Sequence, residues 1–336
     1  MTTRKRKSDH VGIVLRKCVQ YSQSAGFGQV TLVHNPLPEI DFNKISLKTH
    51  FLGKTLEAPI LIEAMTGGYL EGGKINRKLA EIAEKTGIAM GLGSQRAMIE
   101  EPSLKSTYHM RDVAPTIPII ANIGAYVVYK FSLNQIVLVV WFFEAYELAV
   151  LLNPLQEIIQ PEGDKDFTGI LDAIARTCEK LSVPVIAKET GAGIGPSAAK
   201  ALAEAGVKYV DVAGAGGTSW SAIEYERGGG VPGFADWGMP TAACLIADKG
   251  IAPLIASGGL RNGIDAAKAI ALGAEIAGAA QPFIRAYSKG KLETEVDLWK
   301  EQLKVSMFLT GARDVTSLRS AKVAVSAEMK ALAAQL

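Results

Sequence analysis

Val210-Asp211-Val212-Ala213-Gly214-Ala215-Gly216-Gly217-Thr218-Ser219-Trp220 is a short apolar run that ends in a glycine-rich turn carrying two hydroxyls. Such a turn lets the main chain take positive φ and bares backbone N–H groups to an anion, with Thr218 and Ser219 as further donors. One loop of this kind is weak evidence. A second follows about one strand-and-helix unit later, Leu254-Ile255-Ala256-Ser257-Gly258-Gly259-Leu260-Arg261-Asn262-Gly263, where Arg261 suits bidentate contact with phosphate. Two phosphate cups in adjacent units predict a barrel of parallel strands whose late loops hold a phosphorylated cofactor or substrate.

The rest of the chain fits that frame. Apolar runs precede polar residues at Pro59–Ala64, Ile88–Gly93, Ile117–Ala121, Leu148–Leu152, Val183–Ala187, Tyr209–Val212, Pro253–Ala256 and Glu275–Ala280. Helical patterns separate them, clearest at Lys74–Lys85 and Asn262–Leu272. Eight such runs at spacings of about 30 residues predict an α/β fold, a single (β/α)8 TIM barrel over residues 57–290. Residues 1–56 read as an irregular N-terminal extension with one helix that caps the barrel. Residues 291–336 read as C-terminal helices, interrupted at Gly311.

A chain of 336 residues, 48% hydrophobic and with 34 glycines, suits strands buried on both faces. A net charge of +2 gives no reason to expect nucleic acid. Cys18, Cys178 and Cys244 form no C-x-x-C pair, which argues against zinc and against a disulfide framework and favours the cytoplasm. The N-terminal Arg4-Lys5-Arg6-Lys7 cluster has no apolar segment behind it, so it is no secretory signal; taken alone it reads as a solvated tail. No membrane span is expected.

In a barrel of this kind, polar residues after the strands converge at one mouth. Met65, Thr66, Ser94, Arg96, Asn122, Asn153, Gln156, Glu157, Lys188, Thr218 and Arg261 are therefore expected to share a site. Singly, Ser94 or Asn122 could cap a helix, and Arg96 could pair with an acid. Lys188, directly after an apolar run, needs a negative group to meet it, read here as an anionic cofactor or intermediate. Glu157 is the candidate metal ligand, because one carboxylate plus phosphate oxygens suffices for Mg²⁺. No Asp/Glu pair stands out at this mouth, and His10, His34, His50 and His109 lie outside the strand ends.

The residues also carry a resemblance. Ala64-Met65-Thr66-Gly67-Gly68, Gly93-Ser94-Gln95-Arg96, Ala121-Asn122-Ile123-Gly124, Asn153-Pro154-Leu155-Gln156-Glu157, Lys188-Glu189 and Gly216-Gly217-Thr218-Ser219-Trp220 look like type 2 isopentenyl-diphosphate isomerase over nearly the whole chain. The resemblance implies FMN, Mg²⁺ and NADPH as reductant, and interconversion of isopentenyl and dimethylallyl diphosphate by a 1,3-allylic proton shift. It places FMN against Met65, Thr66, Gly67, Ser94, Asn122, Lys188 and Thr218, and the FMN phosphate by Gly258, Gly259, Arg261, Ala279 and Ala280. The diphosphate would meet Arg6, Lys7, Ser94, Gln95, Arg96, Asn153 and Gln156, with Glu157 on Mg²⁺. Gln156 and Lys188 are the implied catalytic residues, the flavin itself handling the proton.

Two departures from the family pattern stand out. Leu151 occupies the position of a family histidine, and Tyr126-Val127-Val128 stands where a glutamine is usual. A third feature is the segment Ile136–Phe143, apolar on every face of its expected helix. Its outer side is expected either to meet another protein surface or to lie beneath an extension. The chain is read as a homo-oligomer, tetramer or octamer, with this helix as a further interface. The alternatives are an FMN-dependent oxidoreductase, which would want a histidine base, and a flavin-binding barrel that has lost turnover and serves in assembly.

Overall fold

Runs of β-branched and aliphatic residues, each too short for a stable helix, pair side by side in the computed structural model. It describes residues 3–142, 145–229 and 231–336, without the side chains of residues 3–6 and Ser8. The strands are β1 (Ile60–Ile62), β2 (Ala89–Gly91), β3 (Ile119–Gly124), β4 (Glu147–Leu152), β5 (Val185–Glu189), β6 (Tyr209–Asp211), β7 (Leu254–Ala256) and β8 (Ala274–Ala279). They close into a parallel barrel in chain order, sealed where Ala277 of β8 pairs with Ile60 of β1. Both faces of each strand are covered, which is why the runs read as continuous rather than alternating. The expected (β/α)8 fold is the observed one.

Helices alternate with the strands. The helix after β1 runs Leu70–Thr86, beginning a turn earlier than its periodicity indicated and stopping at Gly87, whose φ of 66° no β-carbon would favour. The helix after β7 runs Gly263–Leu272, and the Asn262 side chain accepts from the amides of Ile264 and Asp265 at its start.

The N-terminal extension covers both ends of the barrel. A hairpin, Thr49–Phe51 with Lys54–Leu56, packs Phe51 and Leu56 among Leu61, Ala89, Ile120, Ala149, Ile186, Tyr209, Ile255 and Ile276, plugging the interior. At the loop end, Tyr21 N donates to Gly217 O at 3.0 Å, Ser219 N to Val19 O at 2.8 Å and Ala242 N to Ala25 O at 2.9 Å. The basic N-terminus is not a solvated tail. Helix Thr3–Arg16 contains it and lies against helix Trp220–Glu226.

The C-terminal part is less helical than its composition indicated. Helix Leu292–Thr310 packs along Gly263–Leu272 and ends at Gly311 with φ 74°. After helix Val315–Arg319, Val323–Val325 forms a strand antiparallel to Val30–Leu32 before the last helix, Ala327–Ala333. Three residues carry no readable period, and their partner lies almost the whole chain away.

Helix Leu133–Phe142 buries Ile136, Val139 and Val140 and exposes Val137, Leu138 and Trp141, the last at 73%. Phe142 is held by Lys105 over its face and by the His109 ring. Of the two alternatives for its outer side, cover by an extension is not seen among the described residues, where Val137, Leu138 and Trp141 stay exposed. Phe143 lies outside the described residues. No helix among the described residues is long and apolar enough to cross a membrane.

Candidate active site

The loops at the C-terminal ends of the strands surround a cavity. Two glycine turns form its floor. Gly258, with φ 92°, lies so close to the loop after β6 that a β-carbon would meet Gly214 O at 2.1 Å. A β-carbon on Gly217 would meet Gly259 N at 2.7 Å. Backbone thus packs on backbone, leaving amides rather than side chains to face an anion. Thr241 supports the pair by donating from Oγ1 to Gly258 O at 2.5 Å, and Arg261 reaches Gly216 O at 3.4 Å.

Lys188, at the penultimate position of β5, rises beside this floor. Its ammonium donates to Asp211 Oδ2, lies 3.1 Å from Glu63 Oε2 and donates to Ser257 Oγ at 2.9 Å. Ser257 Oγ in turn donates to Asp211 Oδ1 at 2.7 Å. Burial alone would lower the Lys188 pKa, but Asp211 and Glu63 outweigh it and hold the group charged. Burial pushes Glu63 up to about 7, against the pull of Lys188 and with the push of Asp211. Two carboxylates therefore face one ammonium. Glu63 Oε1 is buried without a hydrogen-bond partner, and a β-carbon on Gly278 would meet it at 2.3 Å.

The opposite edge gathers two cations and a carboxylate, Lys7, Arg96 and Glu157. Lys7 Nζ, from the N-terminal helix, reaches the Ser94 carbonyl and donates to Tyr108 OH at 2.6 Å. Arg96 is braced by Glu100 at 2.8 Å and Asp164 at 3.1 Å. Asn153 Nδ2 donates to Glu157 Oε1 at 3.0 Å and to Gln156 Oε1 at 3.2 Å. Glu157 Oε2 accepts from Asp164 N at 2.9 Å. Gln156 Nε2 donates to Glu224 Oε1 at 3.2 Å, which also receives His10 Nε2 at 2.9 Å. Burial would raise Glu224, but His10, Gln156 and Arg227 hold it below the usual carboxylate range.

The structure brings most of the candidate residues together. Lys7, Met65, Thr66, Ser94, Arg96, Asn153, Gln156, Glu157, Lys188, Thr218, Gly258, Gly259, Arg261, Ala279 and Ala280 all line the cavity. Three, Gln95, Asn122 and Gly67, are not among its lining residues. Gln95 is fully buried, and its Oε1 accepts from Asn122 N at 2.6 Å, which braces β3. Asn122 is 1% exposed, with Nδ2 turned to Ile120 O and Oδ1 without a partner. Gly67 turns beneath the Tyr108 ring, which a β-carbon would approach to 2.1 Å. The Arg6 side chain lies outside the described residues.

Other residues went unrecognised in the sequence. Glu63 and Asp211 form the acidic pair taken to be missing, and they, not only an anionic ligand, meet Lys188. Their signal was present: a buried lysine needs a carboxylate, and both acids punctuate apolar runs. His10, placed outside the strand ends, lines the cavity because the N-terminal helix carries it there. No sequence spacing announces that. Leu151, Tyr126 and Val127, the departures from the family pattern, form an apolar stretch of the wall, with Leu151 in register between Gly124 and Lys188. Among the described residues no cluster of three or more His, Cys, Asp or Glu could hold a metal unaided, so Glu157 would need oxygens from a ligand or water.

Residues 152–325 match the FMN-dependent dehydrogenase family. The isopentenyl-diphosphate delta-isomerase of Nostoc sp. is 46% identical over 330 residues, covering 94% of this chain and 94% of the relative. The isopentenyl-diphosphate delta-isomerase of Archaeoglobus fulgidus is 44% identical over 340 residues, 98% of each chain. Among solved structures, a putative lactate oxidase from Pediococcus acidilactici superposes with a TM-score of 0.69 at 14% identity, covering 96% of this chain and 93% of the other. A flavocytochrome b2 mutant gives 0.71 at 16% identity, covering 96% and 84%. At such identities these two speak for the fold alone.

Proposed function

The chain belongs to the isopentenyl-diphosphate delta-isomerase family, and we propose that it interconverts isopentenyl and dimethylallyl diphosphate with reduced FMN, Mg²⁺ and NADPH as reductant. The observation that carries this reading is one cavity with two anion-binding edges, glycine turns with Arg261 on one side and Lys7 with Arg96 on the other. A phosphorylated cofactor and a diphosphate substrate need two such edges. The backbone-on-backbone packing at Gly258 and Gly217 leaves a cradle that suits the phosphate of FMN, with Ala279, Ala280 and Arg261 beside it. Met65, Thr66, Ser94, Lys188 and Thr218 would hold the rest of FMN. Reduced FMN supplies the group that gives and takes the proton of the allylic shift.

The protein's own work is electrostatic and steric. Lys188, kept charged by Asp211 and Glu63, offers a cation at the flavin side of the cavity. Lys7, Ser94, Arg96 and Asn153 would receive the diphosphate, and Glu157 would supply the carboxylate for Mg²⁺. Gln156 is fixed by Glu224 and Asn153, so its amide is oriented before substrate arrives. Tyr126, Val127 and Leu151 line the cavity with hydrocarbon and exclude water from the reacting carbons. Leu151 offers no donor to diphosphate, a task that falls to Lys7 and Arg96. The exposed Val137, Leu138 and Trp141 support a homo-oligomer that covers them, and three cysteines without a disulfide or zinc pattern support a cytoplasmic location.

The test is anaerobic conversion of isopentenyl diphosphate by the purified protein with FMN, Mg²⁺ and NADPH. Dimethylallyl diphosphate is expected only when the flavin is reduced, and FMN bound without product would overturn the reading. In the same assay Glu157→Gln is expected to raise the Mg²⁺ concentration for half-maximal rate by about tenfold or more, since a carboxylate binds Mg²⁺ where an amide barely competes with water. An unchanged Mg²⁺ titration would remove Glu157 from the metal site.

A further inference from the structure

Tyr108 is fully buried, yet its hydroxyl meets the cationic edge of the cavity. The phenol donates to the Ser94 carbonyl at 2.8 Å and accepts from Lys7 Nζ at 2.6 Å, while the same ammonium reaches the Ser94 carbonyl. Burial, with Glu100 nearby, pushes the phenol above its ordinary value, so it remains a donor. The ring lies against the turn after β1, where β-carbons on Gly67 and Gly68 would meet its Cε1 at 2.1 Å and its hydroxyl at 2.8 Å. The neighbouring Thr107 Oγ1 accepts from Gly68 N at 3.0 Å. One side chain thus joins the N-terminal helix to the loops after β1 and β2.

We propose that Tyr108 is a positioning residue for diphosphate, acting through Lys7. A lysine on a terminal helix loses much of its rotamer freedom when it binds an anion. The Tyr108 hydroxyl imposes that loss during folding, so the ammonium stands at Ser94 before the ligand arrives. Arg96, on the same edge, has its own brace in Glu100 and Asp164 and does not depend on Tyr108. The proposal rests on the reading of Lys7 as a diphosphate ligand.

Tyr108→Phe keeps the ring on Gly67 and removes only the hydroxyl. Titrating inorganic diphosphate into the FMN-loaded protein by calorimetry is expected to show about tenfold weaker binding for Tyr108→Phe, with FMN affinity and melting temperature unchanged. Isopentenyl diphosphate should show a matching rise in KM at constant kcat. In a Lys7→Ala background, Tyr108→Phe should add nothing. Full diphosphate affinity in Tyr108→Phe, beside a loss in Lys7→Ala, would overturn the role of Tyr108 and leave Lys7 standing. Full affinity in Lys7→Ala would instead overturn the reading beneath it. Loss of FMN binding or of melting temperature together with diphosphate would reduce Tyr108 to packing, and additive effects of the two substitutions would break the coupling.

Discussion

Lys188→Ala is expected to strip the protein of tightly held FMN and to lower its unfolding free energy by about 3–5 kcal/mol, the range for removing one partner from a buried ion pair. The cause lies in what is left behind. Glu63 is 5% exposed and Asp211 1% exposed, and both turn toward the ammonium. Without it, the buried carboxylates face each other with Ser257 as the remaining donor to Asp211. One of them must then take up a proton, so the penalty should be larger at pH 8 than at pH 6. Lys188→Ala combined with Asp211→Asn should recover part of the lost stability while leaving FMN affinity low. Urea unfolding and FMN titration of the single and double variants check both. A Lys188→Ala protein within about 1 kcal/mol of the parent and with parental FMN affinity would show that the lysine serves neither role.

That network also marks the boundary of what the sequence discloses. The barrel was legible because eight buried strands leave eight apolar runs, and the glycine turns after β6 and β7 were legible because only glycine permits the contact at Gly258. Lys188 stood out for the same reason Glu63 and Asp211 should have: charge within an apolar run is costly unless paired. A carboxylate that ends a strand looks like a helix start, however, and its direction is not written in its spacing. Gln95 shows how adjacency in sequence leaves side-chain direction open. It sits between two residues that line the cavity, Ser94 and Arg96, yet its own side chain turns to Asn122. His10 was hidden by topology, since a terminal helix carries it to a partner, Glu224, 214 residues away in sequence.

Asp248→Asn is expected to flatten the pH dependence of stability and to raise stability at pH 8. Asp248 follows helix Thr241–Ala247, has 0% exposure, and neither of its carboxylate oxygens has a hydrogen-bond partner among the described residues. Burial pushes its pKa up to about 7, and the helix C-terminus adds to the cost of a negative charge there. Between its unfolded value of 3.8 and about 7 the folded protein holds a proton that the unfolded chain has released. Stability therefore falls as pH rises through that window and levels off above it, with a slope on the order of 1 kcal/mol per pH unit for each such group. Glu63 and Glu189 are pushed by burial up to about 7 as well and act with the same sign, although Glu189 Oε2 accepts amides from Thr190, Gly191, Ala192 and Gly193 that favour its charged form. Asp248 has no such compensation, and the buried Cys244 thiol is itself pushed up by burial, by Asp248 and by Glu189. The asparagine removes the charge that forms above pH 7 and with it one contribution to the slope. Chemical denaturation of both proteins from pH 5.5 to 8 measures the difference; equal slopes would mean that Asp248 is already ionised in the folded chain at the lower end of that range.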